Sequence, residues 1–454
     1  MGIRFCWSVA WLLLTLSLAA HAQEGGLQGE LRREGQRVSD ACGSFSFKSV
    51  PSCAYTLFTD HPLHIAAGSL PPQNGFGLGG AFVWSKNTRN WRMSWDFDSV
   101  GTFSGSWRAG GYMKMIHTPR SSGPQATHPY TVFNFYAQSI SLNKINFFGL
   151  GNDAPLSGKS LFGMGETVVG ASVIKPVYEL RSIRWLNLSL QGEVNGRFVD
   201  LRGKHGESSP SIETLYDNAT APGLISQPAF VQLGEGVRIK PELGNLQFNY
   251  LGKFQQFFAP SNSQNSFLRW TVDLDHNYSL YSVSHPGGSE SLGPDSCARG
   301  EDKCPEIPRT RNLNGSIDVR LLISESLTSG TSVVPFYFQP TLGGSDLNSF
   351  MSLGSYQDYR FRAPNILLLQ EYIEHSIWGP FGLKLMADQG RVALTRGDLG
   401  FSHLRHSYGA GLTLRAGGFP MISLMYAWGG AEGQHTIANM NTSLLGGSSR
   451  PSLF

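Results

Sequence analysis

The chain has 454 residues, a formal net charge of +3 and 15% charged residues, where an ordinary soluble domain carries about 25%. Its basic residues are scattered rather than clustered, which argues against a nucleic-acid partner. Aromatic residues make up 12% of the chain and glycine occurs 54 times, a composition typical of membrane β-barrels, whose outer face meets lipid and whose turns are tight.

Residues 1–22 have the pattern of a secretory signal peptide. Arg4 supplies the positive start, residues 9–18 form a short apolar centre, and Ala20-His21-Ala22 is a small-x-small cleavage site. The alternative is an uncleaved inner-membrane anchor, which the shortness of the apolar run disfavours. No later stretch reaches the roughly 18 apolar residues of a membrane-spanning helix. We therefore expect an exported chain without such a helix.

Residues 23–74 are mixed in composition and irregular in pattern, and we predict a short periplasmic or plug segment there. They contain Cys42 and Cys53, and a second close pair, Cys297 and Cys304, lies far along the chain. An even number of closely spaced cysteines in an exported protein favours a disulfide within each pair. Neither pair has C-x-x-C spacing, which disfavours a metal site.

From about residue 75 the chain alternates between apolar and polar residues. Trp91, Met93, Trp95 and Phe97 alternate with polar residues, and the same period of two recurs at 186–190, 268–275 and 317–323. A soluble sandwich would bury the apolar face, whereas a large membrane barrel turns it toward lipid. Export and composition favour the barrel. We predict an all-β transmembrane β-barrel of about 16 antiparallel strands over residues 75–454.

The strands are expected to begin near residues 77, 90, 104, 131, 166, 185, 230, 246, 267, 312, 331, 365, 382, 408, 419 and 436. Three long polar connections, 201–229, 282–311 and 340–364, are predicted to be extracellular, because periplasmic turns are short in such barrels. Residues 414–419 are predicted to form one of those short turns.

The C-terminal third carries an ordered series of motifs: Pro335-Phe336-Tyr337, Leu342-Gly343-Gly344, Arg360-Phe361-Arg362, Asp388-Gln389-Gly390 and Trp428-Gly429-Gly430. In this series the chain resembles the bacterial surface antigen superfamily, to which the BamA and TamA assembly proteins and the two-partner secretion translocators belong. Phe147-Phe148-Gly149-Leu150-Gly151-Asn152 adds a weaker likeness. The resemblance implies a sixteen-strand barrel in the bacterial outer membrane, with loop 340–364 folded back into its lumen.

In that family an arginine at the loop tip contacts the acidic residue of the D-x-G strand. The residues that the resemblance assigns to the loop and its lock are Tyr356, Arg360, Phe361, Arg362, Asp388 and Gly390. Here the arginine position holds Gly354, so Asp388 is expected to lack its usual partner, and Arg360 or Arg362 is a candidate substitute.

The resemblance implies insertion or translocation of proteins or lipids at the outer membrane. Assembly members carry periplasmic docking domains before the barrel, and the strand-helix-helix-strand pattern of such domains is not found ahead of residue 75. The expected partners are therefore outer-membrane lipids, together with unfolded outer-membrane protein clients or a separate periplasmic docking protein, and no nucleic acid.

Two other classes of function stay open: a passive channel or transporter, and a barrel enzyme or adhesin that uses the long loops. No G-x-S-x-G nucleophile motif occurs, and we expect no enzymatic activity. Residues 153–160 resemble a phosphate-binding loop but have Asp153 in place of its first glycine, and His403 and His406 lack a metal-site context. We therefore expect no cofactor and no metal.

Overall fold

The computed structural model describes residues 62–118, 130–177, 185–204, 206, 209–290, 307–378, 381–416, 419–430, 432–440 and 450–453, together with Arg32, Gln36 and Ser39. Within these residues no helix has the length and apolar character needed to cross a membrane. The chain divides into two compact units, one of Met1–Ile65 with Gly80–Trp84 and one of Ala66–Gly79 with Ser85–Phe454. In the first unit the N–H of Val83 donates to the carbonyl of Pro62 at 2.7 Å.

Most of the described residues lie in strands. The strands are β1 (Leu63–Ser69), β2 (Phe76–Asn87), β3 (Trp91–Thr102), β4 (Trp107–His117), β5 (Val132–Phe147), β6 (Ser160–Pro176), β7 (Ser189–Gly203), β8 (Phe230–Ile239), β9 (Glu242–Leu243), β10 (Leu246–Phe258), β11 (Phe267–Glu290), β12 (Ile307–Leu327), β13 (Thr341–Leu342), β14 (Phe361–Arg362), β15 (Asn365–Trp378), β16 (Phe381–Ala393), β17 (Arg405–Ala416), β18 (Phe419–Gly430) and β19 (Gly433–Met440). Short helical segments are one turn at Ile212–Leu215 and 3-10 turns at Leu156–Gly158, Ser263–Asn265, Phe336–Phe338 and Arg396–Asp398.

The second unit is built from antiparallel pairs of consecutive strands. They run from β3 to β8, continue through β10, β11 and β12, and then pass to β15 and on to β19. The large sheet has 17 strands in the described chain, one of which is the two-residue β9. Sixteen strands of full length remain, which confirms the predicted number.

The two faces of the sheet have the polarity of a membrane barrel. On β7, Val194 and Phe198 are 48% and 45% exposed, while Asn195 and Arg197 are 2% and 1% exposed. The strands β5, β8, β16 and β17 repeat this arrangement, with large apolar side chains outside and polar side chains buried. A soluble fold exposes its charged side chains and buries its apolar ones. Here the arrangement is reversed, which suits a sheet whose outer face meets lipid. The all-β transmembrane barrel fold is therefore confirmed.

Most strands begin close to the predicted positions, and two do not match. The strand predicted near residue 331 is wrong, because residues 328–340 leave the sheet and enter a loop held by side chains of the inner face. Conversely, β1 lies within residues 23–74, which the sequence analysis assigned to a separate segment. Its short apolar run, Leu63-His64-Ile65, gave too few alternations to indicate a strand.

The connection 282–311 is also different from the prediction. Residues 282–290 and 307–311 belong to β11 and β12, whose pairing continues as far as Glu290 and Ile307. Because the strands alternate in direction, this hairpin lies at the opposite end of the sheet from connections 204–229 and 328–364. The three long connections therefore cannot all be extracellular. Ala416 of β17 pairs with Phe419 of β18, which agrees with the tight turn predicted at 414–419, although residues 417 and 418 themselves lie outside the described residues.

The outward apolar face gives a first prediction. We expect Val194→Lys to lower the free energy of unfolding in lipid bilayers by about 2–4 kcal/mol, because the substitution places a charge in hydrocarbon. The measurement is urea unfolding from liposomes. The exposed Gln264, in the turn between β10 and β11, supplies the control Gln264→Lys, which should leave stability unchanged. Equal effects of the two substitutions would contradict the assignment of this face to lipid.

Candidate functional site

The connection between β12 and β15, residues 328–364, is here called the lumen loop. It turns at Phe336–Phe338, all buried, and pairs with itself through β13 and β14, where Thr341 faces Arg362 and Leu342 faces Phe361. Much of the loop is irregular yet buried, so its backbone groups need partners other than water.

Two buried arginines supply partners at the base of the loop. Arg362 donates from Nη1 to the carbonyls of Phe336 and Gln339, at 2.7 and 3.3 Å. Arg269 of β11 donates from Nη2 to the carbonyl of Phe338 at 2.5 Å, and its guanidinium lies over two phenylalanine rings of the inner face, Phe257 and Phe267. The guanidinium fork can bind several carbonyls at once, so these side chains fix the base of the loop to the sheet.

A third arginine joins the loop to two other connections. Arg360 Nε donates to both carboxylate oxygens of Glu432, at 2.6 and 2.8 Å, and Nη2 donates to the carbonyl of Ala154 at 2.7 Å. Its guanidinium also lies 4.9 Å from the Phe148 ring centre and 4.7 Å from that of Phe361. One side chain therefore ties the lumen loop to the β5–β6 connection and to the β18–β19 hairpin.

The loop tip is held by Asp388 of β16. Asp388 Oδ2 accepts the backbone N–H of Leu353 at 2.9 Å, and Oδ1 accepts from Gln370 Nε2 at 3.1 Å. Two residues further on, Ser355 N–H donates to the Ser407 hydroxyl at 2.8 Å. The suggestion that Arg360 or Arg362 substitutes as the partner of Asp388 is therefore wrong: a main-chain amide takes that place.

The space beside Gly354 explains why no side chain reaches Asp388 from the tip. A Cβ atom at Gly354 would lie 2.6 Å from Ile437 Cδ1 and 3.3 Å from both Ala427 Cβ and Met386 Cε. Met351, Met386 and Met425 form a small buried apolar cluster here. The packing of Gly354 against these apolar side chains takes the place of the charge pair that the resemblance implied.

The remaining predicted residues also lie where the lumen loop packs against the inner face of the sheet. Tyr356 and Phe361 are buried, and their ring centres are 5.0 Å apart in an edge-to-face arrangement. At Gly390 an added Cβ would lie 2.9 Å from Leu342 Cδ1 and 3.2 Å from the carbonyl oxygen of Leu367. The structure thus gathers all six predicted residues around one loop.

Sequence reasoning missed three anchors: Arg269, Glu432 and Leu353. Arg269 lies in the alternating stretch 268–275, where any water-filled lumen would account for a polar residue. Glu432 directly follows the Trp428-Gly429-Gly430 motif and could have been paired with Arg360 on charge. Leu353 acts through its backbone, for which a sequence carries no signal.

A cavity of about 1220 Å³ lies between the lumen loop and β19. Residues 435–438 of β19 line one side, and Lys144, Lys159 and Asp358 lie on its wall. Burial lowers the pKa of Lys159, and nearby Lys144 lowers it further, while burial raises the pKa of Asp358. This cavity thus carries charged groups on its wall and borders β19.

The four cysteines predicted to form disulfides, Cys42, Cys53, Cys297 and Cys304, lie outside the described residues. Across the part of the chain that the structure describes, no group of three or more His, Cys, Asp or Glu residues could hold a metal ion.

No family model and no curated protein matches the sequence. Similar solved structures include CdiB from Acinetobacter baumannii, with 12% identity, a TM-score of 0.46, and coverage of 81% of this chain and 56% of CdiB. They also include BamA from Haemophilus ducreyi lacking POTRA domains 1–3, with 10% identity, a TM-score of 0.44, and coverage of 83% and 69%. This chain thus spans little more than half of CdiB.

The Asp388 contact gives a second prediction. Asp388→Ala removes a buried charged acceptor, a loss of about 1–3 kcal/mol, so we expect the Leu353 amide to exchange its hydrogen roughly tenfold to hundredfold faster. Asp388→Asn is the matched control, because its amide oxygen can still accept the hydrogen bond. Hydrogen exchange followed by mass spectrometry measures both. Unchanged protection at Leu353 in the alanine variant would show that the carboxylate does not hold the tip.

The Arg360–Glu432 pair gives a third prediction. Both side chains are less than a tenth exposed, so Arg360→Ala or Glu432→Ala leaves one buried charge unpaired. Each is expected to lower the free energy of unfolding by about 3–5 kcal/mol. The double variant Arg360→Met with Glu432→Leu should lose less than either single variant, because no charge is left. A larger loss in the double variant would argue against a direct pair.

Proposed function

We propose that this chain is a bacterial outer-membrane β-barrel that assists the insertion or translocation of polypeptides or lipids at that membrane, without catalysing a reaction. The observation that carries the proposal is the occupied inner face. The lumen loop is fixed there by Arg269, Arg360 and Arg362 at its base and by Asp388 at its tip. A barrel that served only as an open pore would gain nothing from a loop anchored in this way.

The position of the remaining space supports a lateral path. The cavity borders residues 435–438 of β19 on one side and the lumen loop on another. A chamber beside β19 is suited to a client that passes between the inside of a barrel and the bilayer, because the client's own strand can pair where the wall separates.

The β18–β19 pair supports the same path. β19 has 8 residues, against 17 in β6, and its register with β18 is interrupted between Ala427 and Gly430. Fewer ladder hydrogen bonds make the β18–β19 pair easier to separate than the long β5–β6 pair. Client proteins, bilayer lipids and a separate periplasmic docking protein are the partners that the proposal requires.

A passive channel is the second candidate, and the cavity itself favours it. Lys144, Lys159 and Asp358 would line a path for small polar solutes if the space continued through the molecule. The two candidates differ in what the lumen loop does. In the channel it would leave a path open and set its width, whereas in the insertion protein it fills the inner face and belongs to the working site.

The proposal is tested by two measurements on the same strains. Loss of the protein is expected to lower the levels of a subset of other outer-membrane or surface proteins, as measured by quantitative proteomics of isolated outer membranes. Complementation with Asp388→Ala should restore less than complementation with Asp388→Asn. In planar bilayers the wild-type protein should show little steady conductance. Unchanged protein levels together with a large steady conductance would reject insertion and favour the channel.

A further inference from the structure

Residues 450–453, Arg-Pro-Ser-Leu, lie against the inner face of the second unit, far in sequence from everything they touch. They adopt no helix or strand, yet three of the four make specific contacts with side chains from β3, β7 and the lumen loop. The arrangement is that of a peptide held in a site by its ends and its backbone.

A carboxylate binds the first residue of the segment. Arg450 Nη2 donates to Asp98 Oδ2 at 2.7 Å, and Asp98 is 5% exposed. Asp98 also accepts from Arg108 at 3.3 Å and from the Tyr112 hydroxyl at 3.5 Å. These two groups keep the carboxylate partnered when Arg450 is absent.

Two side chains bind the backbone of the segment. Arg197 Nη2 donates to the carbonyl of Ser452 at 2.7 Å, and Asn348 Oδ1 accepts the N–H of Leu453 at 2.9 Å. Arg197 has further partners in Glu166, at 2.6 Å, and Gln232. The cationic side of the site is therefore also preformed, since its charge stays paired if the segment leaves.

The last contact is apolar. Leu453 is 5% exposed and belongs to the same buried cluster as Leu347 of the lumen loop and Phe162 of β6. An apolar pocket, two backbone clamps and an acidic pocket are thus arranged in sequence, and each would accept the same features from another chain.

We propose that these groups form a peptide-binding site on the inner face, which residues 450–453 occupy as a resident ligand. The site takes an irregular or extended polypeptide segment with a basic residue three positions before an aliphatic one. An incoming segment of this pattern displaces the resident one and takes over its contact with Asn348 of the lumen loop. That the incoming segment belongs to a client polypeptide rests on the proposed function. The site itself defines which segment of such a client is bound.

The test uses the full-length protein in lipid nanodiscs and a fluorescent peptide, Ser-Ser-Arg-Pro-Ser-Leu-Phe. Arg450→Ala with Leu453→Ser weakens the resident segment, so this double variant should bind the peptide at least about tenfold more tightly than the wild type, as measured by fluorescence anisotropy. Peptides with Glu in place of Arg, or Ser in place of Leu, should bind about tenfold more weakly, because each loses one of the pockets.

Site variants are compared in the same background. Asp98→Asn should weaken peptide binding about tenfold, whereas Asp200→Asn, at an exposed carboxylate on β7, should leave it unchanged. Heat-dependent mobility on gels checks that each variant is folded. If the double variant does not fold, excess peptide is added to the wild type and hydrogen exchange of residues 450–453 is followed, with faster exchange expected.

Equal affinity of the wild type and the double variant, or of the matched and altered peptides, would overturn the inference, and so would unchanged exchange under excess peptide. Binding is measured on isolated protein and does not depend on the proteomic test. Absent peptide binding with reduced client levels would reject this site alone, and specific peptide binding with unchanged client levels would reject the proposed function alone.

Discussion

Hydrogen bonds from buried guanidinium groups to backbone carbonyls hold the lumen loop against the sheet. Irregular backbone can be buried only where its polar groups find partners, and here Arg269 and Arg362 provide them at the turn Phe336–Phe338. The cost of burying these cations is offset by the carbonyls and aromatic rings around them. Without those bonds the loop would have no stable conformation inside the molecule, and the contacts at its tip could not form.

The anchors divide into a base and a tip with different chemistry. The base uses arginine side chains and the rigid β13–β14 pair, whereas the tip uses single hydrogen bonds from the amides of Leu353 and Ser355. Several charge-assisted bonds together resist opening far more than single ones do. The tip is therefore the part that can leave the wall while the base stays in place, and residues 450–453 contact the loop on this more easily opened side.

The sequence could predict the strands because their period of two is imposed by lipid on one face and water or protein on the other. It could also locate the lumen loop, because the motif series from Pro335 to Gly430 is ordered along the chain. The prediction of a strand near residue 331 failed, because the apolar residues there are buried in a loop. The sequence could not identify the partner of Asp388, since a backbone amide is the same at every position, and it could not show that Arg450 reaches Asp98 across the sheet.

Gly354 has a consequence for how the tip responds to its surroundings. Where an ion pair fastens a loop, dissolved salt weakens the attraction and solvent must rehydrate both charges on release. Here the residue at that position has no side chain and packs against methionine and alanine, whose contacts are short-ranged and uncharged. The flexible thioethers can follow a small sliding motion of the glycine. This packing, unlike the hydrogen bond from the tip to Asp388, should thus respond little to ionic strength.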